Sequence, residues 1–94
     1  MIELRLGDAL DLFKEIRSES VDLIIADPPY NLNKNYGNNS DNLSFEEYIN
    51  FTRNWISEAV RVLKPTGTIY IFMGFRFISY LYQILEKENH MNFV

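Results

Sequence analysis

The stretch VDLIIADPPY at positions 21–30 decides the fold of this 94-residue chain. Its first six residues are apolar apart from one acid, and they lie between a polar segment and two prolines. A short apolar run with such boundaries is typical of a strand that is buried on both faces, in the centre of a parallel sheet. Asp27, Pro28, Pro29 and Tyr30 follow the run directly. Because ligands of open α/β sheets bind beyond the carboxyl ends of the strands, we expect a functional site at these four residues.

The residues before this strand predict a smaller strand and a short helix. Apolar and charged residues alternate over positions 2–6, which indicates a strand. Asp8 follows at a position where its carboxylate can cap a helix, and the apolar residues of positions 9–17 fall on one helical face. We therefore expect a strand over 2–6 and a helix over 9–17.

The segment after the prolines predicts a long loop and then a long helix. Residues 31–44 are rich in asparagine and show no periodicity, which is typical of a loop that either closes over a ligand or is merely mobile. Ser44 and Glu47 form a capping-box pattern, and an apolar face runs from there until Pro65 stops the helix. Tyr48 and Trp55 lie on that face, so we expect them in the core.

The remaining residues continue the alternation of strands and helices. The apolar run 68–73 predicts a second buried strand, positions 78–85 predict an amphipathic helix, and 92–94 resemble the start of a further strand. Such alternation indicates βαβ units in one α/β domain over residues 1–94. Three or four strands are part of a doubly wound, Rossmann-like parallel sheet, so we expect one sheet edge to be unpaired.

The composition excludes several kinds of protein. The chain has 0 cysteines, which rules out disulfides, thiolate zinc sites and a cysteine nucleophile. It has no apolar run of about 18 residues and no signal-peptide pattern, so we expect a cytoplasmic protein. Its net charge is −4, which argues against DNA binding by this stretch alone, since phosphate contacts need clustered Lys and Arg. His90 is the single histidine, so we expect it to be solvated and expect no metal site.

The turn after the apolar strand suits the recognition of an aromatic amine. Two consecutive prolines fix two φ angles and remove two N–H donors, so the turn presents acceptors without competing donors. The carboxylate of Asp27 and the carbonyl of Pro28 could accept both hydrogens of an NH2 group. The ring of Tyr30 could stack on the base that carries this amine. Two acceptors on its hydrogens raise the electron density at the nitrogen and favour its attack on an electrophilic methyl group.

These residues resemble the DPPY motif of adenine-specific DNA methyltransferases, in the N-4/N-6 DNA methylase family. Residues 6–8 (LGD) and 60–71 (VRVLKPTGTIYI) resemble the neighbouring segments of the subclass whose catalytic motif lies near the N-terminus. The resemblance implies an S-adenosylmethionine-dependent methyltransferase fold, S-adenosylmethionine as the cofactor and Asp8 as a contact to its adenosyl part. It also implies catalytic roles for Asp27, Pro28, Pro29 and Tyr30, and double-stranded DNA with a flipped-out adenine as the substrate. The acid at the turn favours adenine over the N4 amine of cytosine.

The chain departs from the complete family pattern at its glycines. The family also carries an aromatic-x-Gly-x-Gly loop for the methionine end of the cofactor, whereas the 4 glycines here form no Gly-x-Gly. We therefore expect the N-terminal portion of such an enzyme, with a second chain or further sequence that supplies the cofactor-binding and target-recognition parts. A non-catalytic remnant or binding module with the same half-fold remains the alternative of a different class.

Simpler explanations exist for the same residues. Asp27 and the prolines could only end a strand, because Asp and Pro favour turns in general. An apolar strand that ends in Asp also resembles the magnesium strand of nucleotide hydrolases, but the phosphate-binding loop Gly-x-x-x-x-Gly-Lys-Ser/Thr is missing from the sequence. Asp8 could serve as a helix cap, as a cofactor contact or as both.

Overall fold

The computed structural model describes residues 2–29 and 44–91 of the chain. They form an α/β arrangement of three α-helices and two parallel strands. The elements in chain order are α1 (Ala9–Phe13), β1 (Val21–Ala26), α2 (Phe45–Val62), β2 (Leu63–Ile71) and α3 (Ile78–Gln83). A 3₁₀ turn (Phe75–Phe77) precedes α3, and a π-helical turn (Ile84–Glu88) continues it.

The two strands pair in parallel, as the sequence predicted. A continuous ladder joins residues 23–26 to 68–71, from the pair Leu23 and Thr68 to the pair Ala26 and Ile71. One further pair, Val21 with Leu63, lies before a shift in register. β2 therefore begins earlier than the predicted 68–73, and its residues 64–67 bulge between the two paired parts.

Helix α2 begins where the capping box predicts. The Ser44 hydroxyl accepts a hydrogen bond from the Glu47 backbone N–H at 3.2 Å, and the Glu47 carboxylate accepts one from the Ser44 N–H at 3.3 Å. These bonds satisfy two N–H groups that have no partner inside the helix. The helix ends at Val62, before Pro65, because Leu63 already adopts an extended conformation and joins the sheet.

The core lies between α2, α3 and one face of the sheet. Seven residues of α2 are buried along one face: Tyr48, Ile49, Thr52, Trp55, Ile56, Ala59 and Val62. They pack with Phe77, Leu81 and Ile84 from the segment around α3, and with the partly buried Ile24, Ala26, Ile69 and Ile71 of the sheet. The prediction that Trp55 belongs to the core is confirmed.

The opposite face of the sheet is exposed, so the prediction that β1 is buried on both faces is wrong for the described residues. Leu23 and Ile25 are 52% and 66% exposed, and Tyr70 and Phe72 on the same face are 58% and 54% exposed. Apolar composition predicts burial only when a second layer covers the strand. The described helices all contribute to the core on the other face.

The predicted elements at the start of the chain are shorter or absent. Residues 2–6 form no strand, and Ile2, Leu4 and Leu6 are 90% exposed or more. An alternating pattern becomes a strand only when a neighbouring backbone pairs with it, and the described ladder joins β1 to β2 alone. Helix α1 covers 9–13 rather than 9–17.

The predicted loop 31–44 lies outside the described residues except for Ser44, and the predicted strand 92–94 lies outside them entirely. His90 is exposed, as expected. Among the described residues, none of the helices is both long enough and apolar enough to cross a membrane.

Candidate active site

The predicted turn lies at the carboxyl end of the sheet. Asp27, Pro28 and Pro29 directly follow β1, while Tyr30 lies outside the described residues. The Phe72 N–H donates to the Ala26 carbonyl at 3.0 Å, so the two strands stay joined up to the residue that precedes Asp27. The turn therefore starts from a fixed point at the sheet edge where ligands of α/β proteins bind.

Asp27 presents its carboxylate to solvent. The residue is exposed, and no hydrogen bond or ion pair with residues 2–29 or 44–91 engages its carboxylate. A carboxylate can accept hydrogen bonds at both oxygens. Asp27 is therefore available to a donor group from outside the described part of the chain.

The two prolines are held against the helical layer. Both are half-buried, and the Pro29 carbonyl accepts a hydrogen bond from the Tyr48 hydroxyl at 2.5 Å. Sequence reasoning placed Tyr48 on the buried face of α2 but missed this contact. A buried tyrosine usually needs a partner for its hydroxyl, and that rule was the signal that could have found it.

Asp8 caps helix α1. Its Oδ1 atom accepts a hydrogen bond from the Leu10 N–H at 2.9 Å, as the cap prediction requires. Within the described part of the chain no hydrogen bond links Asp8 to Asp27, so the structure does not join the two predicted site residues directly. The second carboxylate oxygen of Asp8 has no described hydrogen-bond donor and is open to a ligand hydroxyl.

An aromatic cluster that sequence reasoning did not single out lies next to the turn. The Tyr48 ring lies 4.5 Å from the Phe77 ring, and Phe45 lies 6.0 Å from Phe77 and 4.9 Å from Tyr80, measured between ring centroids. Phe45 and Tyr80 are 49% and 43% exposed. The cluster connects the buried support of the turn to the surface.

Within residues 2–29 and 44–91, no group of three or more His, Cys, Asp or Glu side chains is placed to hold a metal ion.

Comparison with known proteins gives this arrangement a family. The model of a protein family described as DNA methylase matches residues 21–94, which include β1, the turn and every later element. The chain belongs to the DNA methylase family. The resemblance drawn from the DPPY motif is confirmed at this level.

Individual relatives of the chain agree with this family. The type II methyltransferase M.HpaI of Haemophilus parainfluenzae is 54% identical over 93% of the chain, which corresponds to 28% of M.HpaI. The type II methyltransferase M.BamHI of Bacillus amyloliquefaciens is 41% identical over 94% of the chain and 21% of M.BamHI. The DNA adenine methyltransferase YhdJ of Escherichia coli K12 is 46% identical over 69% of the chain and 22% of YhdJ. The chain thus spans about a quarter of the length of these relatives.

Proposed function

We propose that this chain supplies the amine-binding part of a DNA methyltransferase that acts on the exocyclic N6 amine of adenine in double-stranded DNA. The observation that carries the proposal is the Asp27 carboxylate. It has no partner among the described residues, and it lies beside two prolines at the carboxyl end of a parallel strand in a DNA methylase. Asp27 and the Pro28 carbonyl are the acceptors in this proposal, Pro29 fixes the turn and Tyr30 stacks on the flipped-out base.

In the proposed chemistry, the contribution of this chain is two hydrogen-bond acceptors placed at the target amine. S-adenosylmethionine, the proposed cofactor, supplies a methyl group bonded to a positively charged sulfur. Asp27 and the Pro28 carbonyl accept the two amine hydrogens, which raises electron density at the nitrogen and orients its lone pair. With this cofactor bound, the oriented nitrogen would take up the methyl group in place of the sulfur, and the Asp27 carboxylate would accept the surplus proton of the amine.

Adenine is the preferred base in this proposal, and the N4 amine of cytosine is the alternative. Both amines have two hydrogens on a nitrogen attached to an aromatic ring, so the same two acceptors suit both. The acid at the first position of the motif and the adenine methyltransferase named among the relatives both favour adenine.

Asp8 is the residue of this chain that we propose as a cofactor contact. Its Oδ1 atom is engaged by the Leu10 N–H, and its second oxygen can accept from a hydroxyl of the adenosyl part. A single carboxylate cannot hold a cofactor of this size, and the 94 residues contain no Gly-x-Gly. The remaining contacts would then come from further sequence or from a second chain.

We also propose that residues 1–94 form one portion of a doubly wound, Rossmann-like sheet. Parallel sheets in proteins are covered on both faces, whereas the described sheet has helices on one face and exposed apolar residues on the other. The share of the relatives that the chain spans, 28% of M.HpaI and 21% of M.BamHI, leaves ample length for a second layer.

The test of catalysis uses a hybrid enzyme in which this chain replaces the aligned part of M.HpaI. We expect the hybrid to methylate DNA and Asp27→Ala to abolish the transfer with little effect on folding, because the amine loses its charged acceptor. Asp22→Ala is the matched control. It removes a carboxylate that is 79% exposed and paired with Lys64 at the other end of β1, so it should leave the rate unchanged. Full activity of Asp27→Ala would refute the assigned role.

A non-catalytic module is the second candidate function, and the missing Gly-x-Gly pattern favours it. Calorimetric titration of the 94-residue chain with S-adenosylmethionine separates the two. Heat of binding would support a cofactor site within these residues. Absence of heat at millimolar cofactor would exclude catalysis by the chain alone.

A further inference from the structure

A buried tyrosine joins the proline turn to the helical layer. The Tyr48 side chain is 0% exposed, and its hydroxyl donates to the Pro29 carbonyl oxygen at 2.5 Å. The two residues are 19 positions apart in the chain. The bond therefore connects the end of the turn to the first turns of α2.

The position of the Tyr48 hydroxyl is set by backbone hydrogen bonds and by the packing of the ring. Its backbone N–H donates to the Ser44 carbonyl at 2.9 Å, and its carbonyl accepts from the Thr52 hydroxyl at 2.8 Å. Its ring packs against Phe77. Since the capping box fixes the start of α2, the hydroxyl is held at one place before any ligand binds.

The turn is held at both ends, at Ala26 by the Phe72 N–H and at Pro29 by the Tyr48 hydroxyl. The proline rings set φ of Pro28 and Pro29, and a residue that precedes proline is restricted in ψ, which applies to Asp27 and to Pro28. The φ angle of Asp27 and the ψ angle of Pro29 are not restricted in this way, and the hydrogen bond to the Pro29 carbonyl limits both because it fixes the far end of the turn. The Tyr48 hydroxyl binds that carbonyl.

We propose that Tyr48 is a positioning residue for methyl transfer, which holds the Pro29 carbonyl and thereby the geometry of the acceptors at Asp27 and Pro28. This inference rests on the proposed function. The Tyr48 hydroxyl touches neither substrate nor cofactor in this scheme. It acts through the turn, so its loss should alter the rate of the chemical step and leave cofactor binding unchanged.

The first test observes the hydrogen bond in the full 94-residue chain. Tyr48→Phe keeps the ring and removes only the hydroxyl. We expect the carbon-13 signal of the Pro29 carbonyl to shift in Tyr48→Phe and to stay in place in Tyr80→Phe. Tyr80→Phe is the control, because it removes a hydroxyl from a half-exposed ring of the neighbouring aromatic cluster. An unchanged Pro29 signal in Tyr48→Phe would overturn the proposal.

The second test measures methyl transfer in the hybrid with M.HpaI. We expect Tyr48→Phe to lower kcat by about tenfold to a hundredfold, the range for a small misplacement of reacting groups, with KM for the cofactor within about twofold. Tyr80→Phe should match the unmodified hybrid. An unchanged kcat, or an equal loss in both variants, would overturn the positioning role. Absence of transfer by the unmodified hybrid would count against the proposed function, while the carbonyl signal would still decide whether Tyr48 anchors the turn.

Discussion

At the scale of single residues, the Arg61 side chain of α2 binds the segment between α1 and β1 through hydrogen bonds. Its guanidinium donates to the Phe13 carbonyl at 2.7 Å, to the Ile16 carbonyl at 3.0 Å and to the Ser18 hydroxyl at 3.0 Å, and it pairs with Glu58 at 2.6 Å. Carbonyls at the end of a helix lack partners inside it, and a cation is favoured there. Arg61 thus binds the carbonyls at and after the end of α1 and holds the segment that leads into β1.

Arg61→Ala should lower the free energy of unfolding by about 1.5 to 3 kcal/mol, the range for hydrogen bonds to a charged group. Arg61→Lys should recover little, because an ammonium cannot reproduce the planar fork of donors. Urea denaturation of the 94-residue chain measures both. Arg53→Ala is the control, since its pair with Glu88 at 3.1 Å is exposed and should contribute less than about 1 kcal/mol. Equal losses for Arg61→Ala and Arg53→Ala would contradict this account.

At the scale of elements, the bulge in β2 depends on a glycine. A Cβ atom at Gly67 would lie 2.6 Å from the Leu63 side chain and 3.0 Å from the Asp22 carbonyl oxygen. The second contact is with backbone of β1, which cannot move without disturbing the ladder. Residue 67 must therefore lack a side chain for the extra residues of β2 to pack against β1.

Gly67→Ala should destabilise the chain by about 1 to 3 kcal/mol, the usual cost of forcing extra volume into a packed site. The melting temperature and the urea midpoint measure the change. Thr66→Ala, at an exposed neighbouring position of the same bulge, should have an effect within about 0.5 kcal/mol. A neutral Gly67→Ala would show that the bulge can open.

At the scale of the whole molecule, the described helices pack on one face of the sheet, and apolar residues on its other face are exposed. Parallel sheets are normally covered on both faces. The exposed Leu23, Ile25, Tyr70 and Phe72 thus mark the surface on which a second layer would lie in the proposed doubly wound fold.

Ile25→Lys tests that arrangement through a difference between two proteins. In the 94-residue chain the substitution should change the free energy of unfolding by less than about 0.5 kcal/mol, because Ile25 is 66% exposed. In the hybrid with M.HpaI it should cost about 3 to 5 kcal/mol, since an unpaired charge would be buried. Chemical denaturation measures both, and Asn54→Lys on the exposed face of α2 is the control. Equal small costs in both proteins would refute the second layer.

The parts of the fold that the sequence predicted correctly depend on local signals. The capping box of Ser44 and Glu47 specified where α2 begins, and the boundaries of β1 followed from its apolar run and the prolines. The hydrogen bond from Tyr48 to Pro29 was not predicted, because the sequence indicates that a buried tyrosine hydroxyl needs a partner but not which distant residue provides it. The catalytic roles of Asp27, Pro28, Pro29 and Tyr30 and the cofactor contact of Asp8 stay predictions.

The predictions that were wrong concern a strand, the burial of β1 and the length of α1. The strand over 2–6 and the double burial of β1 were inferred from apolar residues that need a partner layer or strand, and the described residues provide none. Helix α1 was predicted too long because its end tightens: the Glu15 and Ile16 N–H groups donate to the carbonyls of Leu12 and Phe13, three residues earlier, at 3.0 Å each.

The parallel ladder between β1 and β2 also bears on the order in which the chain folds. Parallel strands cannot be joined by a tight turn, and the ladder pairs residues 23–26 with 68–71, so each of its pairs joins residues 45 positions apart in the chain. Helix α2 forms through contacts between residues that are a few positions apart. The sheet forms only when the entropy cost of closing this long loop has been overcome. In a kinetic experiment, substitutions on α2 should therefore slow refolding, and substitutions in the ladder should mainly accelerate unfolding.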